Sequence, residues 1–188
     1  MTILFTYILI ISNFFAGSPP LYREYQILET SKIQIKGTSN IAGFRCNCNM
    51  KELNEMYVRY EIGKQVQNQA SIQFPISSFN CGAKAINRDF MDLVKAKEYP
   101  NLNLKVLEIK PIDDQKARIH LEAGIAGQKN KYSVVVHYER FSSYLQARGK
   151  FSLNIEDFGL EQPKKLMGLV VINKEIDILF NLHFRSLY

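Results

Sequence analysis

The stretch Ile176-Asp177-Ile178-Leu179-Phe180-Asn181-Leu182-His183-Phe184 carries the clearest structural signal in the chain. Large apolar residues fall at every second position, namely Ile176, Ile178, Phe180, Leu182 and Phe184. Successive side chains of a β-strand point to opposite faces of its sheet. We therefore predict a strand with this apolar face on one side and Asp177, Asn181 and His183 on the other.

The same alternation recurs along the chain before this strand. Further strands are predicted at 32–36, 56–62, 70–76, 102–109, 117–123, 132–138 and 144–153. Pro75 places the segment 70–76 at a sheet edge or a bulge. Many strands with one apolar face each must stack as a sandwich or close as a barrel, and the periodicity alone favours neither.

One segment has the period of a helix instead. Its apolar residues recur at intervals of four, three and one, namely Ile86, Phe90, Leu93 and Val94. We predict a short helix over 85–97, with Asn80 or Asn87 as its cap and an end before Pro100.

Size and charge narrow the class of protein. The 188 residues suit one domain, and 46% hydrophobic with 22% charged residues is ordinary for a globular protein. The formal charge of +6 favours anionic partners, such as nucleic acid, lipid headgroups or an acidic envelope surface. The basic residues are interspersed with acidic ones, so we do not expect nucleic-acid binding.

The first residues predict export. Ile3 to Phe15 is almost wholly apolar, is too short to span a bilayer comfortably, and is followed by the small residues Ala16-Gly17-Ser18. We predict a signal peptide over 1–18, a mature domain over 22–188, and a periplasmic or secreted protein. The alternatives are an uncleaved anchor or a buried first strand, because no Lys or Arg precedes the apolar run.

The three cysteines agree with export. An odd number in an exported chain suggests one disulfide and one spare thiol. Cys46 and Cys48 share a face if they lie on a strand, so they cannot readily bridge each other. We expect one of them to bridge to Cys81.

Catalytic and metal-binding patterns find little support in the sequence. His120 and His183 fall on the polar faces of their strands and are interpreted as solvated surface residues, and His137 is the third histidine. Cys46-Asn47-Cys48 with a histidine could hold a soft metal, but nothing supplies further ligands at a recognisable spacing. The sequence shows no serine elbow or zinc-protease motif. We expect no catalytic residue, no metal and no cofactor.

Several short blocks together resemble the YceI-like family, in the form common in Bacteroidetes. The blocks are Ile35–Cys46 (IKGTSNIAGFRC), Phe74–Gly82 (FPISSFNCG), Ile86–Phe90 (INRDF), Glu98-Tyr99-Pro100, Gly149-Lys150-Phe151, and Ile155–Leu160 (IEDFGL) with Pro163. They cover about Tyr25 to Phe184 in the family's order.

The resemblance implies an all-β fold, an extended eight-stranded antiparallel lipocalin-like barrel with one short helix covering an end. It also implies that Cys46 pairs with Cys81 and that Cys48, a thiol the family pattern lacks, stays free. The block Gly124–Gly127 matches the family pattern imperfectly, so we expect a shortened or irregular strand there.

The function that the resemblance implies is non-catalytic binding of a polyisoprenoid or another amphiphilic lipid inside the barrel. The apolar faces of the later strands are the expected lining: Ile119, Leu121, Val134, Val136, Leu145, Phe151, Ile178, Phe180 and Leu182. The alternative is a filled barrel that docks an envelope partner through its basic surface. A homodimer is left open as a further partner.

Overall fold

The computed structural model describes residues 21–53, 57–62, 70–161 and 171–187. The predicted signal peptide over 1–18, Met56 of the predicted strand 56–62, and Pro163 lie outside the described residues. No helix in the described ranges is both long and apolar enough to cross a membrane.

The described residues form strands, one α-helix and three 3₁₀-helices. The strands are β1 Leu21–Ile27, β2 Lys32–Thr38, β3 Gly43–Cys48, β4 Tyr57–Ile62, β5 Ala70–Pro75, β6 Phe79–Asn80, β7 Asn101–Asp113, β8 Lys116–Ile125, β9 Gln128–Arg140, β10 Leu145–Asn154 and β11 Glu175–Ser186. The α-helix is α1 Lys84–Leu93, and the 3₁₀-helices are Met50–Leu53, Ile76–Ser78 and Ile155–Phe158.

Strand β11, which contains the decisive stretch, organises the sheet. One edge of β11 pairs with β10 along the whole length of β10, from Leu145 opposite Phe184 to Asn154 opposite Glu175. Its other edge is shared, because residues 177–181 pair with β2 and residues 184–186 pair with β1. β1 and β2 therefore occupy one position of the barrel, broken by a corner at residues 28–31.

The neighbouring strands repeat this division. β3 pairs with β2 and β4 pairs with β1, so β3 and β4 share the next position, and β5 and β6 share another. β7 to β11 follow in chain order, and β4 approaches β5 on the remaining side. Eleven described strands thus fill eight positions of a nearly closed antiparallel barrel with one helix, which confirms the predicted fold class.

The turn between β8 and β9 corrects one expectation. Residues 124–127 do not form a shortened strand, because β8 runs on to Ile125 and pairs with Gln128 across a two-residue turn. Ala126 and Gly127 have φ values of 48° and 78°. Two consecutive positive φ values are typical of the tight turn that matches the twist of a hairpin. The block that matches the family pattern imperfectly is therefore the end of β8 and the turn of a regular β-hairpin.

Helix α1 covers the end of the barrel that carries this hairpin turn. Phe90 of α1 is buried and lies against Phe79, with 5.9 Å between the ring centroids. The helix ends at Leu93, four residues earlier than predicted, because Lys95 adopts a left-handed φ of 53°. Ile86, expected on the same apolar face, is exposed.

The predicted capping of α1 is wrong. Ala83 is the N-cap residue and makes no side-chain hydrogen bond there. Asn87 instead accepts a hydrogen bond from the Cys81 backbone N–H at 2.6 Å, and Asn80 accepts one from the Gly82 N–H at 2.8 Å. The asparagines therefore fasten the turn that leads into the helix, beside a disulfide that joins Cys46 of β3 to Cys81.

Candidate ligand-binding cavity

The barrel encloses a cavity of about 570 Å³. All of its described lining residues lie in strands, and every strand position contributes to the lining except the one shared by β3 and β4. The lining residues are Tyr25, Ile33, Ile35, Ala70, Ile72, Phe74, Phe79, Leu102, Asn103, Leu104, Val106, Ile109, Pro111, Ala117, Ile119, Leu121, Ala123, Gly124, Ile125, Val136, Tyr138, Leu145, Ala147, Phe151, Leu153, Ile178, Phe180, Leu182 and Phe184.

The chemistry of this lining is almost uniform. Among the residues that the structure describes, only Tyr25, Asn103 and Tyr138 bring polar side-chain atoms to it, and every other lining side chain is apolar. The Tyr138 hydroxyl already donates a hydrogen bond to the Asp113 backbone carbonyl at 3.2 Å. Such a cavity selects ligands through the burial of apolar surface, which contributes about 25 cal/mol for each Å² removed from water.

The two ends of the cavity differ in exposure. At the end covered by α1, lining residues such as Phe74, Ala123 and Leu153 are buried. At the opposite end, Ile109 is 36% exposed and Pro111 is exposed as well. The described residues thus give the cavity a closed end under α1 and a mouth between the β7–β8 turn, the β9–β10 turn and the end of β11.

The structure brings most of the residues expected from sequence to this cavity. Eight of the nine lie in its lining: Ile119, Leu121, Val136, Leu145, Phe151, Ile178, Phe180 and Leu182. Val134 does not. It is 1% exposed and belongs to the packed core next to the cavity.

Sequence reasoning missed the lining from the first half of the chain. Ile33 and Ile35 alternate with polar residues in β2, so the pattern that identified the later strands identifies them too. β7 is harder to interpret, because a register shift between Val106 and Glu108 changes which residues face inward. Leu104 and Val106 line the cavity before this bulge, and Ile109 and Pro111 line it afterwards.

A glycine makes room for the largest side chain in the middle of β11. Gly149 lies directly opposite Phe180, and a Cβ atom at position 149 would stand 2.6 Å from Cζ of the Phe180 ring. The same Cβ would lie 3.2 Å from the Val135 backbone oxygen. The absence of a side chain at position 149 therefore allows the Phe180 ring to lie flat against the wall.

Tyr132 packs behind the lining of the cavity, against Phe151. Its ring lies 5.6 Å from that of Phe151 and 6.3 Å from that of Phe158, centroid to centroid. Its buried hydroxyl has no hydrogen-bond partner among the described residues. Burial, aided by the negative charge of Asp157, raises the pKa of Tyr132 to about 12. The hydroxyl consequently stays protonated at physiological pH.

His183 lies outside the barrel and is not freely solvated, contrary to the prediction. Its Nδ1 lies 2.7 Å from the Thr30 hydroxyl, and its Nε2 lies 3.2 Å from the Gln146 amide nitrogen. Burial and the nearby charge of Lys32 lower the pKa of His183 below its ordinary value. The histidine therefore favours its neutral form and binds the corner between β1 and β2 to β11.

The cysteines and the remaining histidines do not assemble a metal site in the described residues. Cys46 is joined to Cys81, the pairing that the family resemblance implied, so it is not a thiolate ligand. Cys48 is a buried thiol whose sulfur lies 3.3 Å from the Ser78 hydroxyl. His120 lies 3.9 Å from Glu108 on the outer surface.

Solved structures share this barrel at low sequence identity. BcnA of Burkholderia cenocepacia is 20% identical, with a TM-score of 0.66 over 81% of this chain and 95% of its own. A polyisoprenoid binding domain from Saccharophagus degradans, implicated in plant cell wall breakdown, is 14% identical, with a TM-score of 0.68 over 86% and 98%. The YceI protein of Campylobacter jejuni is 15% identical, with a TM-score of 0.54 over 62% and 71%.

The sequence supports the same assignment over most of its length. Among curated proteins, none is significantly similar to this chain. The family described as YceI-like domain, however, matches residues 29–184, which include β2 to β10 and all but the last two residues of β11, and therefore nearly the whole barrel. The chain belongs to the YceI-like family.

Proposed function

We propose that this protein binds and carries a polyisoprenoid or another chain-like amphiphilic lipid in the cell envelope, and that it does so without catalysis. The single observation that carries the proposal is the apolar cavity of about 570 Å³ inside the barrel. The similarity to a polyisoprenoid binding domain supports the same class of ligand.

The size of the cavity suggests how much of a ligand it encloses. A dry cavity of about 150 Å³ accommodates one benzene molecule, so a cavity nearly four times larger accommodates about 20 carbon atoms of a chain. Each enclosed methylene group contributes about 0.8 kcal/mol through burial. A longer chain projects through the mouth, and a polar headgroup stays outside, because the lining offers few polar partners.

Binding of a series of prenyl chains to the delipidated protein tests this proposal. The affinity of a fluorescent isoprenoid analogue should rise with chain length up to about 20 carbon atoms and then level off, because further carbon atoms lie outside the cavity. A straight-chain alcohol of equal carbon number is the control for isoprenoid shape. Absence of saturable binding at every length contradicts the proposal.

The envelope location is proposed on two grounds. A disulfide between Cys46 and Cys81 is typical of proteins that fold in an oxidising compartment, and the apolar N-terminal stretch suits a signal peptide. We expect N-terminal sequencing of envelope-extracted protein to place the first residue between Gly17 and Arg23. An intact Met1 on that material contradicts cleavage.

A further inference from the structure

Folding collects the positive charge of the chain on one continuous stretch of the barrel, which covers six of its eight strand positions. The stretch is formed by β8, β9, β10, β11, β2 and β3, and we call it the basic wall. These six strands contain eleven Lys and Arg residues: Lys32, Lys36, Arg45, Lys116, Arg118, Lys129, Lys131, Arg140, Arg148, Lys150 and Arg185. They contain four acidic residues: Glu122, Glu139, Glu175 and Asp177.

The difference of seven positive charges exceeds the net charge of +6 for the whole chain. All other residues together are therefore close to neutral. The excess was not visible in the sequence, where basic residues are interspersed with acidic ones, because β2 and β3 lie beside β8 to β11 only in the folded barrel. A surface of one dominant sign attracts partners of the opposite sign.

The strand register aligns part of this charge in one row across the wall. Lys116 lies opposite His137, His137 opposite Arg148, Arg148 opposite Asn181, and Asn181 opposite Lys32. Neighbouring strands are about 4.8 Å apart, so the row extends about 19 Å along the curved outer surface of five strands.

Several cations of the wall keep their charge available. Lys150 is paired with Asp177 at 2.7 Å and Lys129 with Glu122 at 3.4 Å. In contrast, Arg118 and Arg148 form no ion pair with any residue that the structure describes, and both are exposed. Between them on the outer surface, Val135 is 38% exposed.

The mouth of the cavity lies at one edge of the basic wall. Phe141, in the turn between β9 and β10, is 38% exposed and stacks on Tyr144, with 4.7 Å between the ring centroids. Leu187 follows the end of β11 and is exposed as well. Exposed apolar side chains beside a cationic face are the features by which peripheral proteins lie on a bilayer.

We propose that the part of the basic wall around Arg118 and Arg148, on β8 to β10, docks on the surface of an anionic lipid bilayer, with Phe141 and Leu187 in contact with the acyl boundary. This proposal rests on the proposed function, because it names the surface from which the cavity takes up its ligand. The cations of the wall attract the anionic lipid headgroups, and the apolar residues at its edge contact the bilayer next to the mouth of the cavity. A lipid then passes between bilayer and cavity with little exposure to water.

The composition of the wall favours a lipid surface over nucleic acid. Proteins that bind single strands without sequence preference stack bases on aromatic side chains within the basic groove. The described aromatic residues of the wall strands line the cavity or pack against the core, and Phe141 and Tyr144 lie in the β9–β10 turn at the mouth, away from the row of cations.

Co-sedimentation of the full chain with lipid vesicles tests the proposal. The wild type should bind vesicles of equal parts phosphatidylglycerol and phosphatidylcholine, bind pure phosphatidylcholine weakly, and lose affinity as salt rises. Arg118→Glu/Arg148→Glu should weaken binding to the anionic vesicles at least about tenfold. The matched control is Lys84→Glu/Arg88→Glu on α1, which changes the charge equally on another surface and should leave binding within about twofold of wild type.

A second measurement separates this proposal from the proposed function. Each protein is titrated with the fluorescent isoprenoid analogue without vesicles, and all three should bind it equally, which also shows that they are folded.

If the wild type takes up the analogue but does not bind anionic vesicles, or if the Arg118→Glu/Arg148→Glu variant binds vesicles like wild type, docking is overturned and the carrier function stands. Binding of the wild type to duplex DNA in preference to vesicles overturns docking in favour of nucleic acid. If only the analogue fails to bind, the carrier function fails and the lipid surface remains.

Discussion

At the scale of single residues, Phe180 and Phe158 represent two kinds of aromatic environment in one barrel. Phe180 lines the cavity and is only partly buried, whereas Phe158 is 1% exposed in the packed core. Removal of a side chain from a packed core leaves a new void, but removal of one that already borders a cavity enlarges a space that exists.

The two phenylalanines therefore predict different costs for the same substitution. Phe158→Ala should lower the free energy of unfolding by about 3–5 kcal/mol. Phe180→Ala should cost the delipidated protein clearly less than this range, while it weakens retention of the isoprenoid analogue. Denaturant unfolding of both variants and the wild type measures the difference. Equal costs, near the upper figure, would show that the barrel interior is filled.

Gly149 permits a test of the same space from the opposite strand. A methyl group at position 149 would displace the Phe180 ring, and the cavity gives the ring somewhere to move. Gly149→Ala should thus cost only about 1 kcal/mol in folding but should reduce the affinity for long prenyl chains, because the ring now occupies ligand space. Gly43→Ala is the matched control, since its nearest neighbour would be 3.5 Å away. A Gly149→Ala variant with unchanged ligand affinity contradicts this view of the cavity.

At the scale of structural elements, the corner between β1 and β2 depends on contacts with His183. The Leu28 backbone N–H donates to the His183 carbonyl at 2.9 Å, and the His183 N–H donates to the Ser31 hydroxyl at 2.9 Å. On the ring, Nε2 of a neutral His183 accepts from the Gln146 amide while Nδ1–H donates to Thr30. Protonation places a second donor opposite the Gln146 amide group.

The lowered pKa of His183 predicts acid sensitivity with a definite sign. Above the ordinary histidine pKa of about 6.5, the folded and unfolded states are both neutral at this position. As the pH falls below that value, the unfolded state binds the proton first, so stability falls and levels off below the pKa of the folded state. His183→Gln should remove this part of the pH dependence of unfolding, and Lys32→Gln should reduce it. An unchanged slope in His183→Gln would contradict the assignment.

The disulfide between Cys46 and Cys81 is the second device at this scale, because it joins β3 to the turn before α1. Closing a loop of 35 residues stabilises a fold by about 3–4 kcal/mol in the chain-entropy model. Reductant should thus destabilise the wild type and Cys48→Ala by about this amount, and should leave Cys46→Ala/Cys81→Ala unaffected. A Cys48–Cys81 peptide in a non-reducing digest contradicts the pairing.

At the scale of the whole molecule, alternation along the later strands was sufficient to predict an all-β architecture and half of the lining from β8 to β11. The sequence did not predict that β1 and β2 share one position of the barrel. Both strands pair with the same edge of β11, and this long-range pairing leaves no pattern in the local sequence. The alternation of apolar residues did not predict the lining from β7, because the bulge at Leu107 changes which residues of this strand face inward. The basic wall was not predicted, because β2 and β3 join the consecutive strands β8 to β11 only in the folded barrel.

Whether the barrel is hollow also lay beyond the sequence. An inward face of Ile, Leu, Val and Phe is equally suited to a packed core and to an apolar cavity, and Val134 and Val136 illustrate this. The two residues share a face of β9 and both are buried in the core, yet Val136 borders the cavity and Val134 does not. The choice depends on the circumference of the closed sheet, which is set by how many strand positions close the barrel.

Native mass spectrometry of the protein as purified from envelope extracts tests the central claim, that this cavity carries a chain-like lipid, most directly. We predict one additional apolar molecule per chain, which organic extraction removes and which a prenyl alcohol of about 20 carbon atoms replaces. Phe158→Ala and Phe180→Ala, purified in the same way, should differ, with loss of the bound molecule confined to Phe180→Ala. A wild-type mass equal to the polypeptide alone, together with no uptake of the prenyl alcohol after extraction, would contradict the account.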